Sequence, residues 1–152
     1  MALWDAFHNP VLLSALTAWA LAQIIKLPLE VVCRRRWNWA ILLSTGGMPS
    51  SHAALVAAMT IGVGLSAGFE SALFALAFSL AMVVLYDATG IRRHAGEHAR
   101  LINQMIDDLV RGHPLKENKE LKEALGHTPL EVGGGVVFGI IVTLIMMNWL
   151  AR

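Results

Sequence analysis

The sequence predicts an all-α integral membrane protein, a helical bundle with about four transmembrane spans. Of its 152 residues, 56% are hydrophobic and 15% are charged, whereas soluble domains carry about 25% charged residues. The charges are also segregated, because none occurs in 6–25, 37–69, 71–86 or 132–151. A helix needs roughly 20 apolar residues to cross a bilayer core, so these runs are long enough to form membrane helices.

Residues 1–152 are predicted to form a single membrane domain. Its spans are expected at about 7–32, 50–68, 71–88 and 130–150, and residues 40–45 are apolar but too short to span. The N-terminal residues contain no basic region, so a cleaved signal peptide is not expected.

The orientation follows from the positive charges. Arg34, Arg35 and Arg36 directly follow the first span, and basic residues beside a span end mark the cytoplasmic side. Counting spans from there places 89–129 in the cytoplasm. Within that segment, apolar residues at helical spacing predict an amphipathic helix at 97–111. A second, short helix is predicted at 115–125, where lysine–glutamate pairs lie four residues apart. A bacterial-type plasma membrane is the expected location.

The stretch Gly46 to His52 reads Gly-Gly-Met-Pro-Ser-Ser-His and precedes an alanine-rich helical segment. Pro49 suits the first turn of a helix, and Ser50 and Ser51 are good helix caps. A glycine turn that leads into a helix N-terminus offers free N–H groups and a positive dipole end, which favour an anion such as phosphate. The alternative is a reentrant turn in which the serines are only caps.

Small residues at four-residue spacing predict where helices pack closely. They occur at 54–58 (Ala-x3-Ala), at 64–68 (Gly-x3-Gly), and at 133–139, where three consecutive glycines are followed by Gly139.

Many polar and ionisable groups are expected at the cytoplasmic ends of the spans, where a membrane protein rarely places them without a function. They are Lys26, Ser50, Ser51, His52, Asp87, Arg92, Arg93, His94, His98, His127 and Glu131. Structural alternatives exist for two of them: Lys26 could extend to the membrane interface, and Glu131 could form a capping box with Thr128. For Asp87 we predict a contact with Arg92 or Arg93, because an unpaired carboxylate there is costly.

The motifs resemble a known group of proteins. Residues 49–52, Pro-Ser-Ser-His, are similar to the Pro-Ser-Gly-His motif of the type 2 phosphatidic acid phosphatase superfamily. More closely, residues 46–52, 86–96 and 126–135 resemble the divergent phosphatidic-acid-phosphatase-like membrane proteins, which are related by name to acid phosphatases and vanadium haloperoxidases. The resemblance covers about 22–139.

The resemblance implies roles for individual residues. Lys26 matches the lysine of the superfamily's first motif, although Arg34 is one place late for its arginine. The second motif implies that Ser50 or Ser51 binds phosphate and that His52 is the general acid.

The third motif of the superfamily is Ser-Arg, five residues, a nucleophilic histidine, three residues and an aspartate. Arg92 and His98 keep the arginine-to-histidine spacing, but Ile91 replaces the serine and Ile102 the aspartate. His94 is therefore a competing nucleophile, and Asp87 could orient either histidine only if the fold brings them together.

The function that the resemblance implies is a lipid-phosphate phosphatase or phosphotransferase at the cytoplasmic face, with a histidine nucleophile and no metal or other cofactor. Lys26, Arg92 and Arg93 would hold the phosphate. A homodimer is possible, because the superfamily core usually has six spans, and the net charge of +1 argues against a nucleic-acid partner.

Two alternatives remain open. One is a non-catalytic membrane protein that binds or transports phospholipid head groups. The other is a metal-dependent membrane hydrolase whose ligands would come from a mixed set of histidines and carboxylates: His52, Asp87, His94, His127 and Glu131.

Overall fold

The computed structural model describes residues 3–35, 39, 46–110 and 126–150, and all regular secondary structure within them is helical. This confirms the all-α prediction. In these residues, a short 3-10 helix (Leu3–His8) precedes five α-helices, which are α1 (Pro10–Arg34), α2 (Ser51–Ala67), α3 (Ala72–Thr89), α4 (Ile91–Val110) and α5 (Pro129–Leu150). The predicted segments at 40–45 and 115–125 lie outside the described residues.

Within the described part of the chain, three stretches are long and apolar enough to cross a membrane, namely Pro10–Val32, Ala72–Ile106 and Pro129–Leu150. The remaining predicted span, 50–68, corresponds to α2, which is apolar but has only 17 residues. At 1.5 Å per residue, a helix of that length spans about 25 Å, slightly less than a bilayer core of about 30 Å.

The start of α1 is fixed by Asn9. Its side-chain Oδ1 accepts hydrogen bonds from the N–H groups of Val11 (3.0 Å) and Leu12 (3.1 Å), and Pro10 occupies the first helical position. The span was predicted to begin at residue 7. It begins later because an asparagine cap followed by proline is a strong local helix start.

The start of α2 also differs from the prediction. Pro49 is not in the first turn, because Ser50 is the N-cap and accepts a hydrogen bond at Oγ from the N–H of Ala53 (3.4 Å). Gly47 has φ 90°, a conformation that glycine adopts without steric cost. The glycine turn therefore exists, and α2 begins at Ser51, immediately after its cap.

Helix α2 lies at the centre of the bundle, where it contacts α1, α3 and α5. Its position follows from its small residues, since alanines and glycines let neighbouring backbones approach on several sides. It is parallel to α5, because Ala54 contacts Gly139 and Ala58 contacts Thr143. The Thr143 hydroxyl shares its proton between the carbonyl oxygens of Gly139 in its own helix (2.9 Å) and Ala58 in α2 (3.3 Å). Helices α1 and α3 run antiparallel to α2.

Two glycines of α5 make the approach to α2 possible. A Cβ at Gly135 would overlap the carbonyl oxygen of Ser50, and a Cβ at Gly139 would overlap that of Ala54. The close-packing predictions for 54–58 and 133–139 are therefore confirmed.

The close-packing prediction for Gly64 and Gly68 is wrong. Gly64 lies against the ring of Phe69, and Gly68 caps α2 with φ 91° in the turn to α3. Both glycines thus serve the tight α2–α3 turn, whose local geometry requires them, and not a helix–helix interface.

Helix α4 confirms the predicted amphipathic helix, although it begins earlier than residue 97. Among the described elements it contacts only α3. Leu101 and Met105, on its apolar face, are 52% and 64% exposed. The bundle within the described ranges therefore does not cover this face.

Replacement of Gly139 by alanine should destabilise the bundle, because the new methyl group would force α5 away from α2, and overpacking costs about 1–3 kcal/mol. The matched control is Gly133→Ala in the same helix, where nothing lies within 4 Å of the added Cβ. Thermal melting in detergent should show a lower midpoint for Gly139→Ala and an unchanged or slightly higher one for Gly133→Ala. Equal midpoints for the two variants would contradict the close contact.

Candidate functional site

The ends of several helices meet at one end of the bundle. Ala53 at the start of α2, Ala88 at the end of α3 and Val132 at the start of α5 form one buried cluster. The second half of α1 joins them through Lys26. The prediction that the motifs at the start of the second span and the end of the third lie at the same end is therefore confirmed.

Lys26 is the central charged group of this end. Its side chain is 1% exposed, and Nζ donates a hydrogen bond to Oγ of Ser51 (3.5 Å). The alternative that Lys26 extends to the membrane interface is therefore wrong. An ammonium group taken out of water needs compensating partners, and Glu131 supplies the nearby negative charge that acts on it.

The two serines hold the N-terminus of α2 beside this ammonium group. Ser50 and Ser51 are 0% and 2% exposed. The backbone N–H of Ser50 donates to the carbonyl oxygen of Glu131 (3.0 Å), which joins the starts of α2 and α5. A lysine and the positive end of a helix dipole thus lie side by side, an arrangement that favours an anion.

Glu131 forms the predicted capping box. Its Oε2 accepts from the backbone N–H of Thr128 (3.0 Å), and its own N–H donates to Oγ1 of Thr128 (3.3 Å). The same Oε2 is 3.1 Å from Nδ1 of His127. His127 is 4% exposed, so the structure adds a buried histidine–carboxylate pair to the structural role that the sequence predicted.

His127 and Glu131 are among the polar groups predicted from the sequence for the site and among the possible metal ligands, but the sequence does not predict that they pair. The signal that could have found it is the spacing, because a histidine four residues before a glutamate, with a helix start between them, can fold back onto that carboxylate. The Lys26–Ser51 contact joins residues 25 positions apart, and nothing in the local sequence indicates it.

His52 and Asp87 lie at the same end of the bundle and are partly buried. His52 follows Ser51 in the first turn of α2, and Asp87 lies in the last turn of α3. The side chains of Arg92 and Arg93 lie outside the described ones, so the contact between Asp87 and an arginine stays a prediction.

The two histidines of α4 are exposed. The Nδ1 atom of His94 lies 3.3 Å from Oε2 of Glu97, with side chains 72% and 48% exposed, and His98 is exposed as well. Since α4 contacts only α3 among the described elements, the structure does not bring His94 or His98 to the Lys26–Ser51 contact.

The metal-hydrolase alternative gains no support from the geometry. Within residues 3–35, 46–110 and 126–150, no three histidine, cysteine, aspartate or glutamate side chains come close enough together to hold an ion.

Charge removal at Glu131 should reveal its coupling to Lys26. Glu131→Gln keeps the hydrogen-bonding shape of the capping box but leaves the buried ammonium without its counter-charge, so we expect a loss on the order of 1–3 kcal/mol. Adding Lys26→Met should recover part of that loss, because both charges are then gone. Thermal melting of the two single variants and the double variant measures the coupling.

The control pair is Lys26→Met with Glu70→Gln, since Glu70 is exposed in the α2–α3 turn at the opposite end of the bundle. The effects of these two substitutions on the melting midpoint should add. Additive effects in the Lys26/Glu131 pair as well would show that the two charges do not interact.

Comparison with known proteins bears on the whole chain. The profile of the Divergent PAP2 family matches residues 7–142, a range that includes every residue of the site described above. An uncharacterized membrane protein of Bacillus subtilis (strain 168), YuiD, is 43% identical over 152 residues, which cover 93% of this chain and 96% of the relative. No solved structure matches the chain. The apolar helices and both matches agree with the resemblance found in the sequence, and the chain belongs to the Divergent PAP2 family, a phosphatase-like family of integral membrane proteins.

Proposed function

We propose that the protein is a lipid-phosphate phosphatase or phosphotransferase whose phosphate site is the end of the bundle around Lys26. The observation that carries the proposal is the buried Lys26 ammonium, which donates to Ser51 in the first turn of α2. A phosphate group is the ligand class that such a site suits best, because the lysine offers a point charge and the helix start offers N–H donors.

Binding would use groups from two helices. Lys26 and the hydroxyl groups of Ser50 and Ser51 would contact the phosphate oxygens, and the positive end of α2 would add to the attraction. Arg92 and Arg93, predicted from the sequence, would complete the site from the start of α4.

Hydrolysis would need a nucleophile and an acid. His52, next to Ser51, would protonate the leaving oxygen. A histidine would attack phosphorus, and His98 or His94 is the predicted one. Both are exposed on α4, so they would reach Ser51 only if α4 moved or if a second copy of the chain supplied them. Supply of the histidine by a second copy agrees with the homodimer proposed from the sequence.

The second candidate is a non-catalytic protein that binds or transports phospholipid head groups. The exposure of His94 and His98 favours it, because Lys26 and Ser51 are in contact while both predicted nucleophiles lie exposed on α4. The two candidates share the binding site and differ only in turnover.

Purified protein in detergent should release inorganic phosphate from phosphatidic acid or another lipid phosphate monoester, and vanadate should inhibit the release. Head-group binding without release would favour the second candidate, and loss of release with EDTA would favour a metal-dependent hydrolase. If the protein bound no lipid phosphate, both candidate functions would be contradicted, because both place the phosphate at Lys26.

The variants should separate binding from chemistry. Lys26→Met and Ser51→Ala should raise KM, because they remove contacts to the phosphate, whereas His52→Ala should mainly lower kcat by about 100-fold or more, because an acid acts in the transition state. The control is Ser79→Ala, since the Ser79 hydroxyl is exposed and bonds only within α3. A loss of activity in Ser79→Ala equal to that in Ser51→Ala would remove the case for a specific serine.

The membrane orientation is part of the proposal: a bacterial-type plasma membrane with the site facing the cytoplasm, supported by the basic residues that follow the first span. In a Cys33→Ser background, Trp4→Cys and Glu70→Cys should react with an impermeant thiol reagent in intact cells. Glu97→Cys should react only after permeabilisation. The opposite pattern would move the phosphate site to the outer face.

A further inference from the structure

We infer that His127, oriented by Glu131, is the histidine that accepts the phosphoryl group. The inference rests on the proposed function, since it assigns a residue to that reaction. It replaces the exposed histidines of α4 with a buried one that belongs to the same end of the bundle as Lys26.

The contacts of Glu131 favour one tautomer of the neutral His127 ring. Oε2 of Glu131 accepts from the backbone N–H of Thr128 and lies 3.1 Å from Nδ1 of His127. An ionised carboxylate can only accept hydrogen bonds, so Nδ1 must carry the proton. In the neutral ring, Nε2 then has the lone pair. This is the tautomer of a nucleophile or base whose ring is held by a carboxylate.

The Nε2 atom of His127 is the ring nitrogen that faces away from Glu131. It is buried, and it has no hydrogen-bond partner among the residues that the structure describes. A buried polar atom without a partner costs free energy, which a merely structural histidine would have no reason to retain. A ligand that meets Nε2 would remove this cost.

Glu131 also connects His127 to the phosphate-binding groups. Its carbonyl oxygen accepts from the N–H of Ser50, and its charge acts on Lys26. Glu131 therefore links the histidine ring to the start of α2, where Ser51 accepts a hydrogen bond from Lys26. His94, by contrast, pairs with Glu97 on the exposed surface of α4.

The reaction balances with groups already named. The lone pair of His127 Nε2 forms the N–P bond while the P–O bond to the lipid breaks, and the leaving oxygen takes a proton from His52. Glu131 stabilises the positive ring that results. Water then attacks phosphorus, gives a proton back to His52 and releases inorganic phosphate, and the N–P electron pair returns to Nε2.

The decisive experiment identifies the phosphorylated residue. Full-length protein in detergent is incubated with phosphatidic acid that carries a radiolabelled phosphate, quenched in alkali, in which phosphohistidine survives, and digested for mass spectrometry. We expect label on His127 in the unmodified protein. Label on His98 or His94 would overturn the inference while leaving the proposed function intact. Phosphate release with no phosphohistidine would also overturn the inference.

Variants give an independent test. His127→Asn keeps a donor near Nδ1 for Glu131 but removes Nε2, so label and turnover should fall to background while the melting midpoint stays near that of the unmodified protein. The control is His8→Asn, an exposed histidine of the 3-10 helix that bonds the Trp4 carbonyl, which should keep full activity. If His127→Asn fails to fold, the site mapping in the unmodified protein still decides.

The outcomes separate the two proposals. An unmodified protein that binds phosphatidic acid but neither forms phosphohistidine nor releases phosphate would contradict the phosphatase function itself. Normal turnover in His127→Asn would contradict only the role of His127.

Discussion

The close approach of α5 to α2 is the constraint on which the rest of the structure depends. Gly135 and Gly139 leave room for the carbonyl groups of Ser50 and Ala54 where any side chain would overlap them. Since apolar side chains gain little from meeting each other in lipid, close backbone packing and interhelical hydrogen bonds hold membrane helices together. The Thr143 hydroxyl adds such a bond to the Ala58 carbonyl. This contact fixes the height of α5 along α2, and with it the position of Glu131.

The height of Glu131 also places its negative charge on the same side of the bundle as the buried Lys26 side chain. Lys26 is enclosed by the bundle and has Ser51 as its hydrogen-bond acceptor, but a hydroxyl group alone is weak compensation for a charge removed from water. Glu131 supplies negative charge from the facing helix while it also caps α5 and holds His127. Packing, capping and electrostatics therefore meet in one residue, which is why we expect its substitution to affect stability and the site together.

The functional proposals use different parts of this arrangement. Phosphate binding depends on Lys26 and the start of α2, and both candidate functions share it. Chemistry depends on which histidine can present an unprotonated nitrogen, and the carboxylate beside His127 satisfies that requirement without a movement of α4. Four groups of the site, Lys26, Ser50, Ser51 and His127, are almost fully buried, whereas His52, Asp87 and Glu131 are partly exposed.

The sequence by itself determined the all-α membrane class, the approximate positions of the helices, the capping box at Thr128 and the glycine contact in α5, because hydropathy, capping and small-residue spacing are local properties. It also determined the family, through motifs that survive in short segments. Only the tertiary structure decided that Lys26 turns inward to Ser51, that Gly64 and Gly68 serve a turn, and that His127 is buried against Glu131 while His94 and His98 lie exposed. These outcomes depend on the register between helices that are distant in sequence. The contact of α2 with α5 sets that register, and a one-dimensional pattern does not encode it.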